Sequence, residues 1–414
     1  MNKKLLKQIV NERRSNAWML VELFLVSVVL WYVVDYTFVT FATYLEPRGF
    51  DITHTYRVEV GLLTEKSPDY LTDCSMERLH ADMRELLDRL RRRSGVEAVS
   101  ISQNSFPYND SNNGNGLSLD SMERESTIWR QATPDFFRVF RYRGANGESP
   151  EQLTKLLTEG TFMASKNAFA PRYKVELKDL VGREFKLASD TTRTHQLAAA
   201  LVDVRYSDFQ QACYSRSVVT LLPSDQLAFG NELCLRTRDG EPSTFAETLM
   251  KEASQQYRVG NLFIAKVTPF DSIRRSFQLD DTNRMRDYFI GMGFLLVNIF
   301  LGLLGTFWFR TQQRRSEMAL MMAMGSSKRG VFFRLLSEGL MLLILITPLA
   351  LIVDYHIASA ELTPFWNFSS FSIGRFAIGA GITFLLMALM ILLGIWFPAR
   401  KAMKIQPAEA LHEE

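Results

Sequence analysis

The sequence predicts an α-helical membrane fold: four transmembrane helices, with a large extracytoplasmic α+β domain inserted between spans one and two. Three observations predict it. The apolar residues, 47% of the 414-residue chain, collect in four blocks. Each block is long enough to cross about 30 Å of hydrocarbon, which takes roughly 20 residues. Lys and Arg gather beside the ends of these blocks in a pattern that assigns them sides of a membrane. The long polar block after the first span changes between strand-like and helix-like periodicity, as a folded α+β domain does.

The first span is placed at 17–42, where Ala17 to Phe41 reads AWMLVELFLVSVVLWYVVDYTFVTF. This run is too long for a signal-peptide core. It is followed by bulky Tyr44, Leu45 and Glu46 rather than a small-residue cleavage site, so it reads as a retained anchor. The other spans are 287–309, 331–353 and 375–397. Basic residues flank the first span (Lys3, Lys4, Lys7, Arg13, Arg14), fill 310–330 (Arg310, Arg314, Arg315, Lys328, Arg329) and return in the 398–414 tail (Arg400, Lys401, Lys404). The connection 354–374 has neither Lys nor Arg. Both termini and 310–330 are therefore expected in the cytoplasm, with 43–286 and 354–374 outside. In 1–16, Leu5, Leu6, Ile9 and Val10 form one stripe among basic residues. That pattern suits a cytoplasmic interfacial helix, with a solvated basic tail as the alternative.

Within 43–286, two βαβ units are expected, near 54–102 and 231–268, with an insertion between them. In the first, Thr55–Leu63 and Val96–Ser102 alternate, and Met76, Leu79, Met83, Leu86, Leu87 and Leu90 mark a helix face. In the second, Glu232–Arg238 and Asn261–Val267 flank a helix over Thr244–Gln256. The polar, glycine-rich stretch Asn104–Gly116 is expected to be a mobile loop. Asp271–Asp287 reads equally as a helical stalk or a linker. Cys213 and Cys234 fall in the oxidising compartment, where a disulfide is possible. Free buried thiols are the alternative, because spacing alone does not bring two Cα atoms together.

The segment 310–330 reads as a short helix between two breaks. Ser316 is expected to cap it and Glu317 to sit in its positive first turn. Met318, Met321 and Met322 form an apolar face with Leu320 and Met324 beside it, and Gly325 can end it in a left-handed conformation. Ser326 or Ser327 can cap the next helix. Unbranched methionines suit a docking surface that must adapt; contact with lipid headgroups is the alternative.

These residues resemble the loop of MacB/FtsX-type ABC transporter permeases, through Arg314, Arg315, Glu317, Met318, Leu320, Ala323, Met324, Gly325, Ser327 and Val331. Met321 and Met322 stand where basic residues usually precede the family's Ala-Leu-Gly core. The C-terminus resembles the family ending through Phe397, Pro398, Ala399, Ala402, Pro407, Glu409, Ala410 and Leu411. Thr133–Phe137, Gly160–Phe169 and Val181–Leu187 resemble parts of the MacB-like periplasmic core domain, whereas the third span has Thr347–Pro348 in place of a glycine-rich run. The resemblance implies a bacterial inner-membrane permease acting by mechanotransmission. It implies a separate ABC ATPase docked on 310–330 and a second permease copy, with a periplasmic adaptor and an outer-membrane channel as optional further partners. Its implied work is efflux or export of a periplasmic substrate or lipoprotein. The rival is an FtsX-like regulatory scaffold that activates a cell-wall hydrolase.

No chemistry is expected from the chain itself. The dipeptide Gly-Lys of a phosphate-binding loop does not occur, so ATP and Mg would bind a partner. The three cysteines and five histidines have no metal-ligand spacing. A net charge of +3 offers no concentrated basic face for nucleic acid, leaving protein and membrane lipid as partners. Among ionisable groups near the membrane, Glu22 is expected to reach Arg13 or Arg14. Asp35 lies near the outer end and off its helical face, which disfavours a proton relay. Glu338 either pairs with Arg334 one turn earlier or serves in coupling.

Overall fold

The computed structural model describes residues 13–402, except 112, 120–122, 170–172, 367, 368 and 370. The expected interfacial helix at 1–16 and the tail with Pro407 thus lie largely outside the described residues. Two compact units form: Thr43–Thr282, and the segments on either side of it.

The chain opens with helix α1 (Arg13–Leu45). The α+β unit then begins with β1 (Thr55–Leu62), α2 (Met76–Arg92) and β2 (Val96–Gln103). There follow β3 (Gly114–Ser118), β4 (Glu125–Ala132), the short helices α3 (Phe136–Val139) and α4 (Pro150–Leu156), β5 (Thr161–Ser165), β6 (Glu184–Leu187), β7 (Asp190–Leu201) and β8 (Ser217–Leu221). It closes with β9 (Glu232–Thr237), α5 (Phe245–Gln256), β10 (Leu262–Pro269) and α6 (Phe270–Phe277).

All the strands join in a ten-stranded sheet of order β10-β1-β9-β2-β4-β3-β6-β7-β5-β8. Its first four strands are antiparallel neighbours, so the two βαβ units interleave as a split βαβ fold. The helices form where the sequence pattern requires. Ser75 accepts a hydrogen bond from the Arg78 N–H (3.2 Å) and starts α2. Leu79, Met83, Leu86, Leu87 and Leu90 of α2 are buried against Val58, Val99, Leu235 and the α5 residues Phe245 and Leu249. Alternation along β9 sends Leu233 and Leu235 to that core and Cys234 to a second one with Phe136, Phe137, Phe140 and Phe270.

The insertion is a second fold. A parallel β4–β8 pairing closes strands β4, β3, β6, β7, β5 and β8 into a ring. Phe162, Phe185, Leu187, Leu197 and Val218 fill a core of their own there. Only two residue pairs, Ser102–Ala132 and Gln103–Gln131, join β2 to β4.

Asn104–Gly116 is not the loose loop its composition predicts. Phe106 and Tyr108 are buried. Phe106 packs edge-on against Phe270 at 5.8 Å, and the Tyr108 hydroxyl donates to Asp208 (3.3 Å). Two aromatic anchors outweigh the surrounding polar residues, and Gly114 starts β3. The 271–287 segment is helical: α6 is followed by the long helix α7 (Leu279–Gln313).

The remaining elements are α8 (Arg315–Ala323), α9 (Lys328–Ser359) and α10 (Ile373–Ala402). Four helical segments are long and apolar enough to cross a membrane: Ala17–Leu45, Leu279–Gln313, Lys328–Ser359 and Ile373–Trp396. Leu23, Leu30, Leu303, Phe307, Leu342, Met387 and Ile391 form their shared core. Small residues set the closest approaches. A Cβ at Gly339 would stand 2.8 Å from Ile391, and one at Gly394 would stand 3.2 Å from Phe307.

Candidate functional site

The break between α7 and α9 is built around Arg314. Its backbone departs from helical geometry (φ −99°, ψ 17°) at the cap of α8. This turns its side chain toward two carboxylates. Nε and one terminal nitrogen donate to Glu317 at 2.6 and 2.9 Å, and the other donates to Glu338 of α9. Burial works against the guanidinium charge, but the hydrogen bonds to Glu317 and Glu338 outweigh it and hold the group above its ordinary range. The same bonds hold the Glu317 carboxyl below its ordinary value.

Ser316 does not cap α8, contrary to expectation, because Arg314 occupies the capping position. Glu338 does pair with Arg334, at 3.8 Å, and has Arg314 as its nearer partner. The side chain of Arg315 lies outside the described residues.

The methionine face also differs from expectation. Met318 is buried with Val331, and Met321 and Met322 pack half-buried against it. The outward surface of α8 is instead Leu320, Ala323 and Met324, with Met324 72% exposed. Alternation at helical spacing identifies an apolar stripe; it does not say whether the stripe meets the protein's own next helix or a partner. The end of α8 follows expectation. Gly325 is left-handed (φ +97°), its N–H bonds Met322 O, and the Ser326 N–H bonds Met321 O, each at 3.0 Å. The Ser327 hydroxyl accepts from the Gly330 N–H at 3.1 Å and starts α9.

Within the spans, two polar groupings appear. Thr306 donates to Glu22 at 2.8 Å; the side chains of Arg13 and Arg14, its expected partners, lie outside the described residues. Arg375 binds Asp35 with two N–H groups, one at 2.7 Å, and both residues are buried. The sequence alone does not join Asp35 to Arg375. The missed signal was a lone Arg at the end of a span whose flank has no other cation, matched by an Asp toward the end of another span.

Cys213 and Cys234 are both buried and are not joined by a disulfide, the second of the two readings the sequence leaves open. Cys234 is fixed in β9, between β1 and β2, opposite Arg57 and Ser100. Cys213 sits in a short 3-10 turn, Ala212–Tyr214, that contributes no strand. Burial pushes the Cys234 thiol well above its usual range. Among the described residues no cluster of three metal-ligating side chains occurs. Pro398 and Arg400 lie in the last turns of α10, where Arg400 is exposed and the Pro398 side chain is not described.

In the α+β unit, residues 205–208 grip both ends of the unit. Arg205 is buried and donates to the carbonyls of Thr43 (2.6 Å), Glu46 and Pro47 (3.2 Å). Asp208 accepts from Arg274 of α6 (2.7 Å). Burial, and then the nearby Asp208 charge, push Tyr108 up to about 12.

No curated protein matches the chain. Among solved structures, it is similar to a domain described as that of a permease protein from Porphyromonas gingivalis. The identity is 16% over 53% of this chain and 90% of that chain, with a TM-score of 0.32. It is also similar to the extracellular domain of the noncanonic ABC-type transporter YknZ from Gram-positive bacteria. There the identity is 10% over 51% of this chain and 100% of that chain, with a TM-score of 0.30. Residues 289–407 match the family described as FtsX-like permease C-terminal, which covers α8, its Arg314 anchor and the spans α9 and α10. The chain thus has four helices long and apolar enough to cross a membrane, and over 289–407 it matches the FtsX-like permease C-terminal family.

Proposed function

We propose that the chain is the non-catalytic permease subunit of an ABC transporter, and that a separate ATPase docks on α8. The observation that supports this most is the construction of α8. It is fixed at one end by Arg314 and at the other by Gly325, and it turns Leu320 and Met324 outward. A short helix pinned at both ends transmits a push to the helices that bracket it. In this reading ATP and Mg belong to the partner, both termini and α8 face the cytoplasm, and a second copy completes the complex. The grip of residues 205–208 on the two ends of the α+β unit is what a moving outer domain needs.

The test is co-purification of the ATPase, with ATP turnover, for Leu320→Asp/Met324→Asp. Both residues are exposed, so the variant should insert and fold normally while losing most of the partner, because docking would bury two unpaired charges. Normal binding and turnover would remove α8 as the coupling element. Transport and scaffold readings share this machinery. Movement of a substrate by the reconstituted complex, without any hydrolase present, favours transport.

A further inference from the structure

Away from the Arg314 anchor, the first turns of α9 and the last turns of α10 enclose an open pocket of about 440 Å³. Its lining is Lys328, Arg329, Phe332, Phe333, Trp396 and Arg400. The residues fall into three pairs, each four apart on one helix face: Lys328 with Phe332, Arg329 with Phe333, and Arg400 with Trp396. In each pair the cation lies nearer the helix end and the aromatic one turn deeper, about 6 Å along the axis. Positive charge thus rims the pocket and aromatic surface floors it. Phe332 and Trp396 meet edge to face at 5.8 Å, while Phe333 and Trp396 stay 62% and 50% exposed.

Among the described residues none of the three cations has an acidic partner, whereas Arg314 nearby has two. Unpaired cations brought together repel one another unless an anion joins them. The start of α9 adds its own partial positive charge. The layering matches a phospholipid, whose phosphate lies above its glycerol and chain roots. An acidic protein surface would answer the cations but leave exposed aromatic rings uncovered at membrane depth.

We propose that this pocket is a specific site for the head of an anionic phospholipid. The inference rests on α9 and α10 being spans, and not on the ATPase docking at α8. A lipid held there would fix the helix that leaves the α8 turn.

The test uses the full chain in mild detergent and reads bound lipid by native mass spectrometry. Phosphatidylglycerol and phosphatidylcholine with the same chains are added in equal amounts. The wild-type chain should retain phosphatidylglycerol preferentially, by on the order of tenfold, as expected for several basic residues at a headgroup. Lys328→Gln/Arg329→Gln/Arg400→Gln should abolish the preference. The control Lys155→Gln/Lys186→Gln/Lys251→Gln, which removes the same charge from the exposed surface of the α+β unit, should keep it. Trp396→Ala should lower retention of phosphatidylglycerol while the cations remain. Three results would overturn the proposal: no headgroup preference in the wild type, an unchanged preference in the triple variant, or full displacement by inorganic phosphate. Loss of ATPase co-purification by the Lys328/Arg329/Arg400 triple variant, with its lipid retention intact, would assign the pocket to the partner and overturn it too. Loss of docking in the α8 variant alone would leave this site standing.

Discussion

At Arg314, one guanidinium serves two carboxylates, so its removal would leave Glu338, which is 4% exposed, with only the more distant Arg334. Arg314→Ala should cost on the order of 3 kcal/mol, as loss of one member of a buried pair does. Arg314→Lys should cost less but still register, because an ammonium cannot reproduce the fork. Thermal unfolding of the purified chain checks both. The pH dependence follows from the sign of the Glu317 shift. A carboxyl held below its ordinary 4.5 contributes its stabilisation in full above that value and loses it as pH falls further. Stability from this contact should therefore be flat from pH 8 to about pH 5 and decline only below. A decline beginning near pH 7 would mean another group governs the loop. Arg314 appears in the sequence as one more basic residue. Its partner Glu338 lies 24 residues away, and no local pattern records a contact of that range. Gly325 and Ser327 were legible because left-handed ends and serine caps are local backbone requirements.

At the scale of elements, α8 depends on both of its breaks. Gly325→Val places a β-branched residue at φ +97°, at a cost of roughly 1–2 kcal/mol of local strain. The helix should re-aim while the spans persist, so the expected result is normal membrane insertion with reduced ATP turnover in the assembled complex. The same change at Gly381, inside α10 and with open space around it, should leave turnover nearly unchanged. Spans were legible from composition because hydrocarbon thickness imposes one length on all of them. Their polar contacts were not. The Asp35–Arg375 pair depends on which faces of α1 and α10 meet, and the apolar background has no periodicity sharp enough to show it. The methionine stripe failed for the same reason: it marks a buried face without naming what buries it.

At the scale of the whole molecule, the α+β unit contains two cores, one under α2 and α5 and one inside the ring. Leu86→Ala, at 0% exposure, should cost about 2–5 kcal/mol through the cavity it leaves. Urea unfolding of the unit should show this as a lower midpoint. The split βαβ portion was legible because its strands and helices each carry a clean period. The ring was not, because its strands are short and its closure depends on β4 meeting β8 far along the chain. That closure leaves β10 as the sheet's edge among the described residues. An open edge invites the strands of other molecules, and crowding on a membrane surface sharpens that hazard. The edge is guarded by chemistry rather than by cover: Lys266 stands exposed along it, and Pro269, which has no N–H to offer, ends it. Replacing Lys266 with Val should leave the fold intact and make the protein self-associate, so the protection against aggregation resides in single side chains on one strand.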